Sequence, residues 1–126
     1  MKLRIKGNSI RIRLDRRDLK ALVEQGRVDD ALRFGPDLAF TYAVAIGPAP
    51  RERPRASYED GRLVIRILAE DAAGWLAGDR VGFDHRQDVD GGTIRVLIEK
   101  DFACIDRPAG EADDDAFAFP NPSLSC

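Results

Sequence analysis

The chain has 126 residues, 33% charged and 44% hydrophobic, with a formal net charge of −2. That suits one compact domain or two small fused repeats with a real core, and it argues against a disordered chain. The opening MKLRIKGNSIRIRL alternates charge with aliphatics, so it holds no secretory h-region or bilayer span, and a cytoplasmic location with no membrane contact is expected.

The two cysteines, Cys104 and Cys126, lack metal-type or redox-type spacing, and free thiols are the expectation. Charge is unevenly spread. Residues 1–55 carry 13 Lys/Arg against 7 Asp/Glu, and residues 56–126 carry 7 against 15. A basic half joined to an acidic half implies either an acidic partner or mutual neutralisation, within the chain or across a dimer.

In chain order, KLRIK and SIRIRL alternate with period two around Gly7–Asn8, which predicts a hairpin with Leu3, Ile5, Ile10, Ile12 and Leu14 on one apolar face. Asp15 is placed as an N-cap, with Asp18 adding negative charge to the first turn. Leu19, Leu22 and Val23 form a helical stripe that Gly26 ends. RVDDALRF (27–34) and LAFTYAVAI (38–46) give a second hairpin through Gly35, Pro36 and Asp37.

GPAPRERPR (47–55) reads as a semi-rigid, Pro-rich surface linker. ASYE and RLVIRI then flank Asp60–Gly61, a strong hairpin signal. Ala72, Trp75 and Leu76 form the next helical stripe, closed by Gly78. RVGFDHR (80–86) and GTIRVLIEKDF (92–102) predict a last hairpin across DVDGG.

Residues 10–28 align with 63–81 at an offset of 53 without a gap, with Ile12/Ile65, Arg13/Arg66, Asp18/Asp71, Arg27/Arg80 and Val28/Val81 identical. The order of turns, helix and apolar phase repeats as well. The expected fold is therefore α+β: two tandem ββαββ repeats, 1–46 and 56–102, with mainly antiparallel sheet, forming one compact domain. The repeats bury their apolar faces against each other, sharing a core or extending a sheet, because a lone four-stranded sheet leaves edges unpaired. Residues 103–126 predict an extended acidic, Pro-containing tail in which Phe117 and Phe119 act as apolar hooks for partial docking.

Two sets of residues could carry chemistry. Lys2, Arg4, Lys6, Arg11 and Arg13 share the face of the first hairpin opposite its aliphatics, because strand side chains alternate. This basic face would suit an acidic protein or a polyanion. It could equally be plain solvated surface, or be covered by the chain's own Glu111 and Asp113–Asp115. It lacks the interleaved aromatics of single-strand-binding sheets, and a sequence pI of about 5.4 counts further against nucleic acid. The second set is His85, Glu99, Asp101 and Cys104, where the last hairpin could bring a thiol near the single histidine, or the carboxylates could help to hold a metal. The plainer interpretation is a buried thiol, a half-buried histidine on the core side of its strand, and carboxylates paired with Lys and Arg. No glycine-rich phosphate loop, zinc-type cysteine pattern or nucleophile elbow occurs, so no cofactor is expected.

KLRIKGNSIRIRL at the start, IEKDFAC near the end and the acidic run into DAFAFPNP together resemble an uncharacterised family of small bacterial proteins. Its members begin with a K-x-R-I-K-x-N-S-I-R-x-R-L-like run and close on an E-K-D-F-x-C-like run. The resemblance covers nearly the whole chain and implies no catalytic residue. It implies signature positions at Lys6, Asn8, Ser9, Arg11, Arg13, Glu99, Lys100, Asp101, Phe102 and Cys104. Among these, Asn8 and Ser9 would serve the turn, and Glu99, Lys100 and Asp101 would pair with the basic hairpin. The function expected from all this is a non-enzymatic interaction module whose partner is a protein or a second copy. A polyanion binder ranks second, and a small enzyme or metal site around Cys104 and His85 third.

Overall fold

The computed structural model describes residues 1–102 and 117–120. The first unit runs β1 (Lys2–Lys6), β2 (Ser9–Leu14), α1 (Arg16–Gln25), β3 (Arg27–Gly35), β4 (Leu38–Ile46). The second runs β5 (Arg55–Glu59), β6 (Arg62–Ile67), α2 (Ala69–Ala77), β7 (Gly82–Val89), β8 (Gly92–Lys100). The α+β reading of two similar hairpin–helix–hairpin units therefore holds.

The units do not form one sheet each. One sheet has the order β1-β2-β8-β7 and the other β3-β4-β6-β5, so each takes one hairpin from either unit. The hairpins are antiparallel within themselves, and the two central pairings, β2 with β8 and β4 with β6, are parallel. Each helix carries the chain from one sheet to the other. A shared core results, in which Ile12, Leu14, Leu19 and Leu22 of the first unit meet Ile65, Ile67, Ala72 and Trp75 of the second, while Ala43, Ala45 and Val64 form a small separate cluster.

The registers make the repetition exact at the level of single residues. Ile12 lies opposite Ile98 in one sheet and Ile65 opposite Val44 in the other, so β2 matches β6 at an offset of 53 and β4 matches β8 at 54. Backbone bonds outside the ladders repeat too. Gly47 N–H donates to Ile67 O at 3.1 Å, and Asp101 N–H donates to Leu14 O at 2.8 Å. Leu22 and Trp75 take matching helix positions, and the Trp75 indole N–H donates to Val81 O at 3.2 Å while its ring stands edge-on to Phe83.

Local chemistry explains the element ends. Asp15 and Asp18 form a reciprocal capping box at α1, and the amine of Met1 pairs with Asp18 at 2.8 Å. The start of α2 at Leu68 has no side-chain cap, but Asp71 accepts the Glu52 N–H at 2.7 Å, where Asp18 takes the chain terminus. This bond and the full burial of Pro54 pin the end of the 47–55 linker. Asp60 and Gly61 both have positive φ (51° and 76°), as a type I′ hairpin turn requires.

The last hairpin has a tighter turn than the sequence predicts, and β8 ends at Lys100 instead of Phe102. β7 starts at Gly82 instead of Arg80: the register opens with Gly82↔Glu99, and beyond it Val81 O accepts the Lys100 N–H together with the Trp75 indole N–H. The pairing then continues to Val89↔Gly92, so only Asp90–Gly91 turn, instead of DVDGG. Phe119 docks as expected: its N–H bonds Asp101 O at 2.8 Å and its ring packs on Phe102, whereas Phe117 stays about half exposed. The acidic run at 111–115, Cys104 and Cys126 lie outside the described residues. No described helix is long and apolar enough to cross a membrane.

Candidate interaction surface

The basic face forms as the alternation demands, and it is not alone. Parallel pairing of β2 with β8 sets Arg13 opposite Glu99, so the outer face of this sheet mixes the two candidate sets from the sequence. Glu99 Oε1 accepts from Arg11 Nε at 2.5 Å and from Arg13 Nε at 2.9 Å. Asp101, nearly buried, pairs with the Lys2 amine at 2.9 Å. Two guanidinium groups sharing one partly shielded carboxylate make a charge-assisted pair stronger than the usual surface bridge. Arg4 and Lys6 make no ion pair among the described residues.

Lys100 behaves differently from its neighbours because it faces inward. Its amine donates to Gly78 O at 2.7 Å and sits 5.0 Å from the Phe119 ring centroid. Burial pushes its pKa below the ordinary lysine range, against a smaller opposing pull from Asp79. Farther along the outer face, Arg95 grips Asp84 with two bonds of 3.0 and 2.7 Å, which hold the Asp84 carboxyl below its usual range.

Of the second candidate set, Glu99 and Asp101 are thus committed to cations. His85 is half-buried on β7, opposite Val96 and in phase with buried Phe83, on the core side as expected. Cys104 lies outside the described residues. Among the described residues, no three His, Cys, Asp or Glu side chains gather as a metal site would need.

A third feature escapes the sequence reasoning. Both helices pack together at one end of the two sheets and plug it. At the opposite end the hairpin turns surround an opening. An apolar cavity of about 420 Å³ lies there, reaching from Ile5 and Ile10 across to Tyr58, Leu63 and Ile94, with no Asp, Glu, Lys, Arg or His in its lining. In a chain one-third charged, a lining without charge marks a surface of special composition. Its two side-chain amides are engaged: the Asn8 amide donates to Thr93 O at 2.6 Å, and the Gln87 amide bonds both N–H and O of Ala56 at 2.7 and 2.8 Å.

Exposed apolar side chains continue outward from this cavity. Phe40 lines it and stacks on Tyr58 with centroids 6.4 Å apart, and Leu32 lies opposite Phe40 in the β3–β4 register. Ile5, Leu32, Phe34, Leu38 and Tyr58 are all more than half exposed, Phe34, Leu38 and Tyr58 by about two-thirds. The cause is geometric. β6 pairs with β4 only from Thr41 onward, so the tip of the β3–β4 hairpin overhangs the sheet with its apolar side uncovered. The signal in the sequence is LRF–GPD–LAF, where apolar residues flank a turn that has no neighbour strand to need them.

No curated protein and no solved structure matches the chain. A family model does, over residues 1–123: it is described as "Family of unknown function (DUF7009)". With nearly the whole chain matched, from the basic hairpin through the Glu99–Asp101 cluster to the docked Phe119, this protein belongs to that family of unknown function.

Proposed function

We propose that this protein is a non-enzymatic interaction module that docks a protein partner at the open, hairpin-turn end. The observation that carries this is the concentration of five exposed large apolar side chains around an uncharged cavity at that end. Burying one such side chain on association is worth about 1.5–3 kcal/mol, and a patch of this kind usually marks a binding site. The hairpin ends at this side argue for a protein surface over a lipid one. They carry both signs, with Lys6, Arg33 and Arg62 beside Asp37, Glu59, Asp60 and Asp90 in or next to the four turns, whereas a membrane-facing end would be one-signed and basic.

The partner tested first is a second copy. Light scattering over a concentration series, for the wild type and for Phe34→Asp/Leu38→Asp, should show a dimer that the double variant loses while its circular dichroism stays unchanged. If the wild type is monomeric throughout, the homodimer falls and a different protein must fill the site. In that case, cross-linking in the native cell should place the partner on Phe34 and Tyr58. A monomer whose cross-links avoid this end would end the proposal.

The polyanion alternative draws less support, because Lys2, Arg11 and Arg13 already serve Asp101 and Glu99. The enzyme or metal alternative rests on Cys104 and gains nothing from the described residues.

A further inference from the structure

The repeat provides an internal comparison of the two places where the sheets' edges meet. On one side, β7 lies over β5, and Gln87 reaches across to take both the N–H and the C=O of Ala56. Gln87 is opposite Ile94, and Ala56 is opposite Ile65. The same registers in the other unit identify the equivalents: Leu32 opposite Phe40, and Leu3 opposite Ile12. So the residue that clips the β5 edge is replaced by a leucine at the β1 edge. A leucine cannot bond backbone, and no described side chain does for Leu3 what Gln87 does for Ala56.

Three properties of this second seam point to one kind of occupant. Ala56 shows which backbone groups face outward in such a strand, and the equivalent outward groups of β1 belong to Leu3 and Ile5. These are donors and acceptors that a strand lying beside β1 would satisfy. The apolar side chains flanking them, Ile5 and Leu32, are each more than half exposed. On the outer face of the same strand, Arg4 and Lys6 have no carboxylate among the described residues.

Resting on the interaction-module reading, we propose that the β1/β3 seam binds an extended segment of a protein partner by strand addition to β1. The segment alternates apolar with acidic residues. Its apolar side chains cover Ile5 and Leu32, and its carboxylates meet Arg4 and Lys6, because alternate residues of an added strand face opposite sides of the sheet. Gln87 occupies the equivalent backbone groups of β5, so the two seams of the repeat are not alternative sites for such a segment.

A synthetic decapeptide of alternating valine and glutamate tests this on the full chain, with an alternating valine–lysine peptide as control. Backbone amide NMR should show shifts centred on Leu3, Ile5 and Leu32 with the glutamate peptide alone, weakening as salt rises. Leu32→Gln, which installs the clip found at the other seam, should lower affinity at least tenfold with the melting temperature held or raised. Ile5→Pro should do the same by removing an outward N–H that the fold does not use. Shifts centred on β5 or β7, equal binding by Leu32→Gln, or no shifts at millimolar peptide would overturn the seam proposal. The open-end proposal is judged separately, by the Phe34→Asp/Leu38→Asp measurements, so failure of one leaves the other readable.

Discussion

Where the last strand of the first unit closes on Ala45 and Ile46 and is followed by Gly47, that of the second closes on Glu99 and Lys100 and is followed by Asp101. The backbones at these three positions are equivalent, down to the bond each third residue donates to its parallel neighbour. The side chains are not. Glu99 and Asp101 hold Arg11, Arg13 and Lys2, whereas Arg66, the counterpart of Arg13, lies opposite Ala45 and, among the described residues, bonds Ser57 Oγ at 3.0 Å without an ion pair. At Gly47 a Cβ would come within 2.8 Å of Arg66 Cδ, so a side chain there would require Arg66 to move. The comparison separates two layers of cause. Backbone pairing and apolar phase build the fold twice, and charge is then added to one copy alone.

If that separation is right, the largest losses of stability come from the shared core and scale with what each copy buries. Trp75→Ala should cost about 3–5 kcal/mol, and Leu22→Ala at the matching position about 2–5, the tryptophan also losing its bond to Val81 O. Chemical denaturation should show single transitions for both variants, because the two units share one core. Two separable transitions, one per unit, would break the comparison at its root.

Next in size is the added charge. Glu99→Ala strands Arg11 and Arg13 side by side and should cost about 1–3 kcal/mol, since the carboxylate is only 13% exposed and accepts both. Ala45→Glu offers Arg66 a carboxylate but places it where Ala45 is only 7% exposed, against buried Ala43 and Val64, so it should bring no net gain in stability. A negligible cost of Glu99→Ala would mean that the ionic cluster is ornament, not a supporting layer.

Asp15→Ala removes the side chain that caps α1 and should cost about 1 kcal/mol. The second unit manages without any such cap at Leu68, relying on Asp71 and Glu52 to tie the helix to the linker. A drop much beyond 2 kcal/mol would show that the Asp18–Met1 pairing collapses along with the cap.

Much of this was legible in local sequence. Period-two alternation, the Asp15–Asp18 cap, Gly26, Asp60–Gly61 and the offset of 53 each follow from forces acting within a few residues. Strand order was not legible, because β2 pairs with β8 across more than 80 residues of chain, and nothing in SIRIRL names its partner. The start of β7 was missed for a similar reason. Gly82 sits where a Cβ would meet Ile98 O at 2.0 Å, a constraint that exists only once β8 is alongside. The basic face was found, but its neutralisation by Glu99 required that same non-local pairing. The open end was missed because exposure of Phe34 and Leu38 depends on where β6 stops.

The smallest effect concerns Lys100, whose counterpart is Ile46. Its amine is partly withdrawn from water, so its folded pKa lies below the unfolded value of about 10.5. Between those two values the unfolded chain binds the proton and the folded chain does not, so stability from this group rises with pH across that window. Lys100→Ile puts the first unit's residue in place and removes the titration. The wild type should therefore gain on the variant as pH climbs toward 10.5, and the two should run parallel below the window. Guanidinium melts of both proteins at pH 7, 9 and 10.5 measure this directly. A gap that widens in the variant's favour with rising pH would mean that the Gly78 carbonyl holds the ammonium form more strongly than burial opposes it.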